Sequence, residues 1–373
     1  LWKDGPFNQG DARFFKDGVR ELSEFFTQER GPAGGYFHSP EFRSSYLLYW
    51  LPFQAAKFVR LFSIHSGATA RAWERATASG GSGELVVADL GAGPGTASFA
   101  WMLWLMHQHG WPKAKGSPKV RLEWVDLDRD ILEDGRELLR AFLAAYEIPA
   151  AKVELHIHAS PLHAALQSEV GGDGIVLAGN VFNELIKAGR KQRFDWLPRL
   201  LQKFRGAGFL VLEPAVAETA QFLATLRADL LEASGTTHKP GELFSPAIWG
   251  PCLHSGACPL AEGKDWCHFS VSSTVPGRWF KDFSQGLGSE RQWLKFTYLW
   301  IASASDPRPA PIRTSRRVIS DPLKGKAKDE RTVLICAPDR PVRIRLGGKN
   351  ALYRGDRIEH ATQKIVGRFG EKE

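Results

Sequence analysis

Cysteine is scarce in this chain, with four in 373 residues. So few thiols in so long a chain fit a reducing compartment and argue against a secreted disulfide scaffold. Long apolar runs are also missing. The longest, near Ala97–Met106, is too short to cross a bilayer, so no membrane partner is expected. No secretory signal is read after Leu1, and the absence of an initiating Met leaves room for a removed targeting segment. Several motifs are absent too. No Gly-Lys-Ser/Thr closes a glycine-rich loop, which excludes a P-loop, and no G-x-G-x-x-G marks a dinucleotide enzyme. There is no Asp/Asn-Pro-Pro-Tyr/Phe clamp for an exocyclic amine, and no general base stands out. No catalytic residue is therefore assigned.

What is present points to a folded chain with an uneven charge. Hydrophobic residues make up 43% and aromatics 11%, including 13 Trp, which excludes a disordered polymer. The net charge is +8, but residues 307–373 hold 17 Lys/Arg against 8 Asp/Glu, while the remainder holds 32 against 33. The basic character belongs to the C-terminal stretch, where it suits a polyanion, RNA first. Arg316, Arg317, Lys324 and Lys326 are the expected RNA contacts; a merely solvated basic surface is the plainer alternative.

The chain divides by pattern. Residues 1–78 read as helices, with Ser39 as a cap and Pro40 at a first helical position. Pro52 is expected to kink or split the helix that follows. Thr77–Gly83, TASGGSG, has linker composition. From Glu84 short apolar strands alternate with helices: Leu85–Leu90, Arg121–Leu127, Val153–His158, Gly174–Ala178 and Phe209–Leu212, with Lys295–Ser303 as a late strand. That alternation predicts a parallel, doubly wound α/β sheet over 84–305. A cysteine-bearing insertion over about 235–290 interrupts it. The segment 306–373 is expected to be a basic, β-rich extension, with strand-like runs at Thr332–Cys336 and Val342–Leu346.

Asp89-Leu90-Gly91-Ala92-Gly93-Pro94-Gly95-Thr96 follows the first strand and opens a helix. Glycines let the backbone turn sharply and approach a ligand. D-x-G-x-G-x-G is the pattern of S-adenosylmethionine binding, so the core is expected to be a class I, Rossmann-like methyltransferase fold. Asp89, Gly91, Gly93 and Gly95 are its expected cofactor residues. Strand two ends in Val125-Asp126-Leu127-Asp128, where an acidic side chain can accept both ribose hydroxyls. Asp126 fits best and Asp128 is second. After strand four, Gly179-Asn180 should line the methionine end, which adds Asn180.

The cysteines run Cys252-x5-Cys258-x8-Cys267, with Cys336 69 positions later. Four thiolates suit tetrahedral zinc or a cubane iron–sulfur cluster. Structural zinc usually shows C-x2-C knuckles, which are missing here, so the looser spacing favours the cluster. His254 or His268 could replace a thiolate in a zinc site. Two disulfides or buried free thiols are the other readings. Pro251-Cys252 also has the look of the nucleophile of RNA cytosine-C5 methyltransferases, but it lies far past strand five, the wrong place for that role.

SSYLLYWLPFQAAKF, DLGAGPGTAS, NVFNEL, VLEPA, the cysteine segment ending DWCHFS, and RVISDPLKGK with Cys336 carry a resemblance. With them the chain resembles the mitochondrial methyltransferase-like protein 17 family and its bacterial and yeast relatives, the Rsm-type proteins of the small ribosomal subunit. The resemblance implies a class I methyltransferase fold with S-adenosylmethionine. It implies a 4Fe–4S cluster on Cys252, Cys258, Cys267 and Cys336, with zinc as the alternative. It implies rRNA and proteins of the small ribosomal subunit as partners during assembly. Glu213-Pro214-Ala215 departs from the family's usual Glu-Pro-Gly. The expected function is an assembly factor that binds S-adenosylmethionine and rRNA and so supports translation, acting as a monomer, with the cluster stapling tail to core. An active rRNA methyltransferase is the second reading and a small-molecule methyltransferase the third. Location is expected to be cytoplasmic for a bacterial protein, the favoured case, or the mitochondrial matrix for a eukaryotic one.

Overall fold

The computed structural model describes residues 9–27, 36–78, 83–162, 171–186, 204–236, 246–261, 265–272, 283–284, 287, 293–303, 315–324, 330–338, 340–346, 352–359 and 364–367. Four helices come first: α1 Gln9–Thr27, α2 Pro40–Ser45, α3 Leu51–Ile64 and α4 Ser66–Thr77. Ser39 caps α2 as expected, its hydroxyl accepting from Phe42 N at 3.5 Å. The break expected at Pro52 takes a specific form. A π-helical turn at Tyr46–Trp50 runs directly into α3, and Pro52 sits within the first two positions of α3. Of the linker Thr77–Gly83, residues 79–82 lie outside the described residues.

The core follows: β1 Glu84–Leu90, α5 Thr96–His109, β2 Lys119–Asp126, α6 Arg129–Ala145, β3 Val153–Ala159, β4 Gly172–Gly179, α7 Phe182–Leu185, β5 Phe204–Glu213 and α8 Ala217–Thr236. Then come β6 Pro246–Gly250, β7 Phe269–Ser272 and β8 Trp293–Ser303. The strands order as β3-β2-β1-β4-β5-β8-β6, with β7 paired to β8. β3, β2, β1, β4 and β5 are parallel, while β8 runs antiparallel between β5 and β6. The core is a class I methyltransferase fold. One detail differs from the sequence expectation of a parallel sheet: the late strand β8 enters reversed. Chain order turns back at β1, whose neighbours are β2 and β4, so a switch point opens at the carboxyl ends of β1 and β4.

Both faces of the sheet are covered. Leu85 and Val87 pack on one side with α3 and α5, and Val86, Ala88 and Leu90 pack on the other with α8. Burial on two faces explains why these strands read as apolar runs and not as alternating ones. Helix α5 is apolar nearly all round, with Trp101 and Trp104 fully buried. Truncating either ring to Ala would cost about 3–5 kcal/mol.

The C-terminal extension forms two three-stranded sheets. One orders β10 Leu323–Lys324, β11 Arg331–Ile335 and β12 Val342–Arg345; the other orders β14 Ile365–Gly367, β13 Arg357–Glu359 and β9 Ser315–Arg317. Val318, Val333, Ile335, Ile344, Leu352 and Ile358 give them a small core of their own. The runs expected at Thr332–Cys336 and Val342–Leu346 are β11 and β12.

Candidate functional site

The glycine-rich loop joins β1 to α5 at the switch point. Gly91, Gly93 and Gly95 have φ of +63°, +52° and +80°, values that L side chains adopt poorly. Their surroundings separate them. A Cβ on Gly91 would lie 2.2 Å from Val181, and one on Gly95 would lie 2.1 Å from the Trp124 ring. A Cβ on Gly93 would meet nothing within 4 Å. Gly91 and Gly95 therefore close the loop onto the fold, and Gly93 is the glycine with open space before it. Behind the loop, a Cβ on Gly135 of α6 would come within 2.7 Å of the Pro94 backbone, so α6 seats directly on the loop.

Asp126 stands at the end of β2, as the sequence predicts. Its Oδ2 accepts from Gly93 N at 2.8 Å and its Oδ1 from Asp128 N at 3.0 Å, which locks it beside the loop. Burial raises its pKa above the ordinary carboxylate range, against the lowering effect of those backbone donors. Asp128, the second candidate, caps α6 instead, with Oδ1 accepting from Asp130 N and Ile131 N. Asp89 requires a correction. It is 2% exposed, and its Oδ2 accepts from both the backbone N–H and the hydroxyl of Ser98. Trp124 Nε1 donates to the same hydroxyl. Asp89 thus braces the first turn of α5 from behind, and burial pushes its pKa up to about 7.

Asn180 follows β4 with φ +59°, its N–H donating to Leu212 O at 2.8 Å. Its Oδ1 is buried and has no hydrogen-bond partner among the described residues, and the same holds for Asn183 Oδ1. An orphaned acceptor there fits a donor such as a cofactor amino group. The sequence did not reveal what holds this turn. Glu213, fully buried at the end of β5, accepts from the N–H groups of Val181, Phe182 and Asn183 at 3.0, 2.8 and 3.2 Å. Glu-Pro in VLEPA was the available signal. One carboxylate thus ties the ends of β4 and β5 together beneath Asn180.

The cysteines converge from separate elements. Cys252 and Cys258 lie in the loop after β6, Cys267 directly before β7, and Cys336 directly after β11. The structure contains no disulfide among them. Burial raises the Cys267 thiol well above its ordinary range, and Cys252, Cys336 and Cys258 raise it further. Cys336 is pushed up to about 12, by burial first and then by Cys252 and Cys258. As placed, no group of three or more His, Cys, Asp or Glu among the described residues could hold a metal ion. The donor chemistry, four soft sulfurs on half-buried cysteines, nevertheless suits zinc or an iron–sulfur cluster.

Backbone contacts knit the cysteine segments to their surroundings. Cys336 N donates to Arg317 O, His254 Nε2 lies 3.1 Å from Cys336 Sγ, and a Cβ on Gly256 would meet Pro338 at 2.7 Å. Trp266 Nε1 donates to Ala215 O at 3.0 Å, joining the cysteine loop to the segment after Glu213.

The expected RNA residues do not share one environment. Lys324 is exposed and Arg316 half-buried, and Lys326 lies outside the described residues. Arg317 requires a correction. It is 3% exposed, and its Nε and Nη1 donate to Pro251 O and Gly355 O at 2.8 Å each. A guanidinium spent on two buried carbonyls cannot meet phosphate. Arg343 and Arg345 are exposed on β12.

Over residues 85–364 the sequence matches the family described as mitochondrial small ribosomal subunit Rsm22. The chain belongs to the Rsm22 family. The family ties it to the small ribosomal subunit. No curated protein matches it. Among solved structures it is similar to a Pyrococcus horikoshii protein assigned as an RNA methyltransferase, at 13% identity over 77% of this chain and 98% of that one, with a TM-score of 0.34. It is also similar to PKMT2 of Rickettsia typhi in complex with AdoHcy, at 11% identity over 80% of this chain and 64% of that one, with a TM-score of 0.29. No helix among the described residues is long and apolar enough to cross a membrane.

Proposed function

We propose that this Rsm22-family chain is an S-adenosylmethionine-binding assembly factor that docks on small-subunit rRNA through its basic C-terminal sheets. The observation that carries the reading is the junction at which Cys336 and Arg317 of the extension meet the loop bearing Cys252, Cys258 and Cys267. A basic module fixed to a cofactor-binding core presents one rigid surface to RNA. Gly93 and Asp126 would hold the cofactor's nucleoside side, and the orphaned Asn180 Oδ1 would accept from its amino group. Cys252, Cys258, Cys267 and Cys336 would hold a 4Fe–4S cluster, with zinc as the alternative. Such a group supplies a cross-link between segments, and its binding is coupled to folding. The family description favours the mitochondrial matrix over a bacterial cytoplasm. Active rRNA methylation is the second reading, favoured by the open glycine loop.

The test is sequencing of RNA crosslinked to the full chain, paired with a methyl-transfer assay on assembling subunits. Small-subunit rRNA without methyl transfer supports the assembly factor, and both together support the enzyme. No rRNA enrichment rejects both. Changing Arg316, Lys324, Lys326 and Arg343 to Glu should weaken RNA binding and lower its salt slope by about one for each phosphate no longer neutralised.

A further inference from the structure

Strand β3 closes one end of the large sheet. It pairs with β2 on its inner side, and no strand among the described residues pairs with its outer side. Its outer row of N–H and C=O groups is a template for a further strand. The two faces of β3 differ. Glu154, His156 and His158 point one way, and each is engaged: Glu154 with Lys119 and His156, and His158 with buried Glu123 at 2.8 Å. Val153, Leu155 and Ile157 point the other way, towards α6, and all three are only half-buried. Between that face and α6 lies a groove of about 690 Å³, and half-buried Leu143 of α6 carries the apolar strip across it. The α6 side is also charged. Arg129, Arg136 and Arg140 line the groove with a single carboxylate, Glu133. Arg129 and Arg136 share Glu133, and Arg140 pairs with Glu137 outside the groove. These arginine side chains are 78%, 44% and 65% exposed, so their ion pairs are worth little and exchange readily for another anion.

An occupant of this groove must pair with a strand edge, cover an apolar strip and bring carboxylates to a surplus of guanidiniums. RNA meets only the last demand with its phosphates. A second copy of this chain, paired β3 to β3, would bring two sets of these arginines together, which like charges oppose. We propose that the groove docks an extended segment of a partner protein, added to β3 as a further strand, with apolar side chains at its centre and acidic ones at its ends. Side chains alternate along a strand, so only every second residue of that segment faces the groove. Those residues carry the specificity, and the main-chain bonds to β3 carry the pairing. The proposal is independent of the rRNA and metal readings.

The experiment uses the full chain and a fluorescent, end-blocked peptide, Glu-Thr-Val-Thr-Val-Thr-Glu, matched to the 7 residues of β3. Its two Glu and two Val share one face. Binding is read by anisotropy, and strand addition by hydrogen exchange of the β3 amides. The peptide should bind and slow exchange along β3. Replacing both its Glu by Lys should weaken binding about tenfold or more. The double change Arg136→Glu and Arg140→Glu, at exposed positions, should reverse the order of the two peptides. Leu155→Asp should abolish binding of both; should it fail to fold, Leu143→Asp is judged in its place. No binding, binding without β3 protection, or equal affinity for the two peptides overturns the proposal. Protection of β3 by an oligouridylate instead of the peptide gives the groove to RNA and overturns it. Protection of β3 that rises with protein concentration, alongside a dimer in sedimentation, gives it to a second copy and overturns it too.

Discussion

The cofactor crevice and the cysteine junction are built in opposite ways. The crevice is local: Asp89, the three loop glycines and Ser98 fall within ten residues, and Asp126 joins them from the adjacent strand. Its loop is held by its own polar groups, through Gly93 to Asp126 and Ser98 to Asp89, while Asn180 Oδ1 has no hydrogen-bond partner among the described residues. The junction draws on four distant stretches: α8, the loops around β6 and β7, β9 with the turn after Cys336, and Arg354. It buries thiols and cations side by side. A site made of neighbours along the chain is set by residue order, whereas a junction of distant stretches is set only when the whole chain packs.

The largest expected effect breaks the junction. Replacing any one of Cys252, Cys258, Cys267 or Cys336 with Ser should abolish stoichiometric metal and loosen the C-terminal sheets, as read by metal analysis and limited proteolysis. Retention of metal by all four variants would sink the shared site.

Next, the two kinds of loop glycine can be separated. Gly95→Ala meets the Trp124 ring at positive φ and should destabilise the fold by about 2–4 kcal/mol in denaturant melts. Gly93→Arg has open space, so stability should change by about 1 kcal/mol while calorimetry shows S-adenosylmethionine binding lost. Equal stability losses would mean that Gly93 does not face the cofactor.

A smaller effect tests whether the two regions communicate. Trp266→Phe removes the bond to Ala215 O, beside the Glu213 clamp that holds Asn180. Losing one such bond is worth about 1 kcal/mol, so cofactor affinity should fall by roughly fivefold with metal retained. Unchanged affinity would make the regions independent.

The smallest effect is a pH slope in the crevice. Asp89 is raised from 3.8 unfolded to about 7 folded, so the folded state holds the proton more tightly. Its stabilising contribution is full below the unfolded pKa and is lost as pH rises through about 7. Asp89→Asn should flatten that decline between about pH 4 and 7, a slope of at most about 1.4 kcal/mol per pH unit. An identical pH profile in the variant would show that Asp89 does not titrate there.

Much of the core was legible because its signals are local. Strands β1 to β5 and β8 each lie within a few residues of an apolar run, and the glycine loop announces itself by composition. β6, β7 and the short strands β9, β10, β13 and β14 were not read. They are brief, and pairing with distant partners defines them more than propensity does. Asp89 and Arg317 were misplaced for a related reason. Sequence gives the residue type and its neighbours along the chain, but not which way the side chain faces.

By itself the sequence determined the class of fold, the position of the cofactor loop, the acidic end of β2 and the placing of basic charge at one end of the chain. Each follows from residue order over short spans, where backbone sterics and periodic burial decide the outcome. Only the tertiary structure decided that β8 runs reversed, that Glu213 clamps the turn bearing Asn180, and that Arg227 and Arg317 hold backbone carbonyls on either side of Cys252. Those depend on contacts between residues far apart in the chain, and long-range packing and the burial of charge have no signature in local sequence.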